Sequence, residues 1–174
     1  MSEVSFYDIT IPIFSKRVQQ LKHCLEKGEQ WANENKIATS ALVKSRLIED
    51  MQPLPFQVQT VYRMVIYFFS RMDIPGAPAP TDIPVVDTYD GMFKQVDEIQ
   101  QLLSTVKPSQ LEGKASQSVS FGPPGRDPWK FTGLSFVQEF IMVNVYFHTT
   151  TAYDILRKEG VPLGKLDYLG KVGL

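Results

Sequence analysis

Two side chains in the last third of the chain place functional groups where apolar residues are expected. His148 falls near the centre of the stripe Leu134, Val137, Ile141, Val145, Ala152 and Ile155, because successive helical positions rotate by about 100°. Asn144 precedes it by four residues, so the two stack one turn apart on one face. Thr151 flanks the pair. On an earlier segment Gln57 lies at the edge of the apolar stripe, whereas Gln59 points roughly opposite and is expected in solvent. An imidazole with an ordinary pKa of about 6.5 can be tuned as a general acid or base near neutrality, and amides beside it can orient a carbonyl or hydroxyl. Isomerisation, cyclisation, dehydration or addition–elimination on a small, partly apolar molecule needs no more than such groups. His148, Asn144 and Asp50 are therefore the candidate catalytic residues, and Gln57, Thr151, Tyr153 and Arg157 the candidate substrate contacts. The competing reading is a polar network that fixes helix register, since an unpaired buried polar group costs about 1–3 kcal/mol and most such groups are simply paired.

Other reactive residues point away from chemistry. His23 sits about 200° from Leu21 around its helix and is expected in solvent; Cys24, the single cysteine, reads as a small packed hydrophobe. There is no HExxH or CxxC motif. In FGPPGR the prolines remove the N–H groups that a phosphate loop needs. Arg157 and Lys165 are placed to reach a substrate carboxylate, with an exposed salt bridge as the default. The 174 residues suit one domain with a sizeable core. A net charge of −1 and a pI near 6.1 argue against nucleic acid and anionic membranes as partners. The start MSEVSFYDITIPIF lacks a secretory pattern, and Val65–Phe69, the longest apolar run, is too short to span a bilayer. With one cysteine and no disulfide, a cytoplasmic location is expected.

Four amphipathic segments position these groups. Phe14, Val18, Leu21 and Leu25 predict a helix over about 11–35, with Pro12 tolerated near its start. Ser40 can cap a short helix through Leu47. Leu54, Val58, Val61, Val65, Phe68 and Met72 give a second long helix that ends before Asp73. IPGAPAPTDIP is a proline-rich connector. Asp87 or Thr88 can cap a third helix carrying Met92, Val96, Ile99, Leu103 and Val106, which Pro108 ends. Residues 116–132 read as a β-hairpin or extended loop turned by GPPG. The fourth helix covers about 134–159, with Gly160 and Pro162 as its stop. Apolar stripes of this width bury against one another, giving an all-α four-helix bundle.

The runs RLIEDMQPLPFQVQT (46–60) and NVYFHTTTAYDILRKEGVPLGKLDYLG (144–170), with their separation, resemble the family known as the domain of unknown function numbered nineteen ninety-three. That family is grouped with the DinB-like and YfiT-like metalloenzyme superfamily, and the resemblance covers nearly the whole chain. It implies a single up-and-down four-helix bundle of DinB-like type over residues 1–174. In the superfamily a histidine of the second helix and an HxxxH pair on a late helix often bind a divalent metal, and known activities include thiol-dependent S-transfer and maleylpyruvate isomerisation. Carried onto this chain, the late pair falls on Asn144 and His148, and the second-helix position falls near Gln57. Three neutral imidazoles hold Zn²⁺ or Ni²⁺ well, whereas one imidazole and two amides do so poorly. The resemblance thus implies a pocket in the superfamily's place, and these residues imply that it takes a small-molecule ligand without metal or other cofactor. Val143 stands where the family has proline, which predicts a straighter last helix. By analogy alone, a tailoring step of secondary metabolism would suit such a pocket. DinB-like bundles are often dimeric, so a homodimer is expected, and a non-catalytic dimeric interaction protein is the alternative function. Tyr62, Tyr67 and Phe69 are its candidate interface residues unless they pack against the hairpin.

Overall fold

A computed structural model describes residues 4–123 and 125–170. The four long helices are α1 (Ile11–Glu34), α3 (Leu54–Arg71), α4 (Tyr89–Thr105) and α6 (Met142–Lys158), with a short α2 (Thr39–Lys44) between α1 and α3. Pro12 and Pro55 occupy the first turns of α1 and α3, where the missing N–H had no helical partner to lose. Thr88 caps α4 by accepting a hydrogen bond from the Gly91 N–H at 3.1 Å. Ser40 is not the cap expected of it: Ala38 holds that position without a side-chain bond, and α2 stops at Lys44, where Ser45 turns extended.

The apolar stripes meet in one core that includes Phe14, Leu21, Val61, Phe68, Met92, Ile99, Val145 and Ile155. Chain directions follow from which residues touch. The Tyr89 hydroxyl donates to the Leu25 carbonyl, and Gln100 Nε2 donates to Ser15 Oγ, so α1 and α4 are antiparallel. Gln59 and Gln95 share the Pro84 carbonyl while the Tyr62 hydroxyl reaches Glu98, so α3 and α4 are parallel. Arg17 lies over Tyr146 and Gly28 abuts Leu156, so α1 and α6 are parallel too. The 73–88 connector therefore returns along the length of the bundle.

Before α6 come β1 (Ser118–Phe121) and β2 (Trp129–Thr132), antiparallel, with Ser118 opposite Thr132 and Phe121 opposite Trp129. Thr132 then caps a short α5 (Gly133–Ser135), and residues Phe136–Ile141 form a π-helical turn in which the Met142 N–H reaches the Val137 carbonyl. Val143 itself lies within the regular α6, so the irregularity of this region arises earlier, without proline. Aromatic rings pack around it. Phe136 and Phe140 stack at 5.8 Å, and Phe121 of the hairpin sits 5.4 and 4.8 Å from them.

A last helix, α7 (Lys165–Leu169), lies on α1. Arg17 donates to the carbonyls of Tyr168 and Leu169. Asp167 accepts from Lys27 and pairs with His23 Nε2 at 2.8 Å, so His23, expected in solvent and 45% exposed at its side chain, also has a fixed partner. Burial opposes ionisation at Asp167, yet the Gly164 N–H, His23 and Lys27 together hold its carboxyl down at about 2. Cys24, beneath this cluster, is buried, and burial pushes its thiol up to about 12.

The end of α6 is a Schellman motif: Gly160 N–H donates to Arg157 and Val161 N–H to Leu156. Gly160 has φ +102°, and a Cβ there would approach Trp31 to 3.2 Å. Gly160→Ala is expected to cost about 1–2 kcal/mol, measured by chemical denaturation, with helical circular dichroism retained.

Candidate functional site

The site is built where α3 faces α6. His148 Nδ1 lies 2.7 Å from Gln57 Oε1, and Gln57 Nε2 donates to the Gln52 carbonyl at 2.8 Å. Gln57 is 3% exposed. The Gln52 carbonyl can only accept, so the NH₂ end of Gln57 must face it and the oxygen must face the histidine. Nδ1 therefore carries the proton, and Nε2 keeps a lone pair. His148 itself is half-buried, with Phe56 and Phe147 edge-on to its ring at 6.0 and 5.1 Å. Burial, with a contribution from the Arg63 charge, lowers its pKa from 6.5 to about 4. At neutral pH the ring is an uncharged hydrogen-bond acceptor and base; it is not an acid.

The remaining sequence candidates are placed as follows. Asn144 is half-buried one turn from His148, but its Nδ2 folds back onto the Phe140 carbonyl at 2.7 Å, at the end of the π-helical turn. Thr151 is buried and donates to the Phe147 carbonyl. Neither side chain bonds the imidazole. Asp50 is exposed on the turn before α3. Tyr153 packs edge-on to Tyr168 at 6.1 Å, and the exposed Arg157 donates to the Val161 carbonyl. These three lie outside the His148–Gln57 cluster. Gln59, expected in solvent, is 9% exposed because the connector covers it. Tyr62 and Phe69 are in the core, and Tyr67 packs on Phe121 at 4.9 Å, so the three cannot form the interface expected of them.

Phe56 and Arg63 do not stand out as polar residues on an apolar stripe. Their signal was spacing: Phe56, Thr60 and Arg63 recur at four and three residues and share one face of α3.

The family model for the domain of unknown function DUF1993 matches residues 6–169. The chain belongs to that family. A crystal structure of a DinB family member protein from Shewanella denitrificans is similar to this DUF1993 chain, with a TM-score of 0.82 at 29% identity, covering 97% of this chain and 93% of that one. No curated protein matches it. The all-α DinB-like bundle with a hairpin before its last helix is thus the fold of this DUF1993 member. No described helix is long and apolar enough to cross a membrane.

The divalent metal of the wider superfamily does not fit these residues. Gln57 Oε1 is committed to the imidazole, which leaves one imidazole nitrogen and the neutral Asn144 Oδ1, a set that holds a divalent ion poorly. Among the described residues no group of three or more His, Cys, Asp or Glu converges.

Because the folded imidazole resists a proton that the unfolded one takes up below about pH 6.5, stability falls as pH drops from about 6.5 to 4. His148→Gln is expected to lose less stability over that window than the parent, as measured by urea unfolding at each pH.

Proposed function

We propose that this protein binds a small, partly apolar organic molecule beside the half-exposed His148 ring, where α6 faces α3, and transforms it as a metal-independent isomerase, cyclase or lyase. The observation that carries this reading is the bond chain Gln52 carbonyl, Gln57 amide, His148 Nδ1, which leaves Nε2 as a neutral base on a half-exposed ring. A bound donor, an O–H or an acidified C–H, would give its proton to Nε2, and the resulting imidazolium would keep its Nδ1–H on Gln57. Return of that proton at another atom of the same molecule is isomerisation; departure of a leaving group is elimination. Phe56 and Phe147 supply apolar contact, and Arg63 is a cation close enough to act on the site electrostatically. A cytoplasmic setting belongs to this reading.

The interaction-protein alternative draws on a different observation. Val143 and Phe147, one turn apart on α6, are 56% and 57% exposed, an apolar face suited to a second copy of the chain. Sedimentation at micromolar concentration tests it: a purely monomeric species removes the homodimer.

For the site itself, ¹⁵N spectra are expected to show Nδ1 protonated and Nε2 bare at pH 7. Phenol and cyclohexanol are expected to shift the Nε2 resonance saturably. In His148→Phe, backbone resonances of α3 and α6 should no longer respond to either probe while the helical spectrum persists. An imidazole indifferent to every donor probe, or a bare Nδ1, would defeat the proposal and leave a register-fixing network.

A further inference from the structure

A cleft of about 440 Å³ opens between α2, the turn before α3 and the end of the 73–88 connector. Val43, Pro53, Pro55, Phe56 and Val86 form its apolar walls; Lys44, Arg46 and Asp87 stand exposed at its mouth. The walls are fixed. Leu54 N–H donates to the Ser45 carbonyl at 3.0 Å, and Lys158 Nζ ties the Arg46 carbonyl to α6 at 2.7 Å.

A buried glutamine gives the cleft a polar acceptor. Gln59, in its lining, donates Nε2–H to the Pro84 carbonyl at 2.6 Å, and Gln95, 2% exposed, donates to the same oxygen at 3.1 Å. A carbonyl can only accept, so both amides are held with their NH₂ ends on Pro84. Both side-chain oxygens are then left over. Gln95 Oε1, behind the cleft, is buried with no hydrogen-bond partner, whereas Gln59 is a lining residue of the cleft itself. Gln59 Oε1, an acceptor in the lining of an apolar space of ligand size, can take a donor from outside the chain.

We propose that this cleft is a second ligand site, separate from the His148 site, for a compact aromatic or alicyclic carboxylic acid bearing a hydroxyl or amide N–H. The ring lies against Pro55, Phe56 and Val86. The donor reaches Gln59 Oε1, and the carboxylate faces Lys44 and Arg46. Asp87 at the same mouth favours a monoanion over a dianion. Phe56 is the wall shared with the imidazole, 6.0 Å from its ring.

Isothermal titration and ¹⁵N spectra with 4-hydroxyphenylacetate and phenylacetate test the assignment. Saturable binding of the hydroxylated acid is expected, with shifts confined to residues 43–59 and 84–95. Gln59→Leu is expected to weaken the hydroxylated acid about tenfold and to leave phenylacetate unchanged, which a general disturbance of the connector would not do. Val43→Trp, a filling substitution at the wall, is expected to abolish binding of both and serves where Gln59→Leu fails to fold. His148→Phe is expected to leave both affinities intact, so this site and the His148 proposal stand or fall separately. No saturation at millimolar acid, equal weakening of both acids by Gln59→Leu, or undiminished binding to Val43→Trp would overturn it.

Discussion

α3 and α4 run in the same direction, and much of this side of the molecule follows from that geometry. Two consecutive parallel helices need a connector that retraces the helix between them. α3 has 18 residues and is about 27 Å long, a distance the 73–88 segment covers in extended form. Pro75, Pro78, Pro80 and Pro84 keep that segment out of helix and remove N–H groups that would otherwise need partners. Its carbonyls still need donors where they meet the bundle, and Gln59 and Gln95 supply them at Pro84. One topological choice thus explains two buried glutamines, a proline-rich segment and a cleft at its end.

Helix positions were legible because each apolar stripe is long and regular. The limits of α1, α3 and α4 follow from Pro12, Pro55 and Thr88, whose local physics does not depend on the rest of the fold. Gln59 was misplaced for the opposite reason. A helical projection shows the face away from one stripe but not a connector that later lies across it. His23 is solvent-exposed as its position predicts, but its partner Asp167, which arrives from 144 residues further on, could not be read from one helix. The π-helical turn left no mark of its own in the sequence; it is visible only once the phenylalanines of the hairpin and of α6 are seen packed together.

The site was half legible. His148 and Gln57 stand out as polar groups on apolar faces, and the fold brings them into a hydrogen bond. What could not be read was direction. The Gln52 carbonyl orients the amide, the amide selects the imidazole tautomer, and burial sets its charge. An acid or base seen in the sequence becomes specifically a neutral base once those three facts are combined. Asn144 shows the converse: correct in position, yet with its NH₂ turned to the backbone of its own helix.

α7 has none of its residues fully buried, and what fastens it to α1 is largely charge and hydrogen bonds: Arg17 on two terminal carbonyls, and His23 and Lys27 on one carboxylate. The bundle beneath is held by apolar contact that dissolved ions barely reach, whereas partly exposed charge pairs are screened over a few ångströms of electrolyte. Salt therefore acts on the two parts unequally. In concentrated brine the clip is expected to loosen over an unaltered body, baring the face of α1 that carries His23 and Lys27.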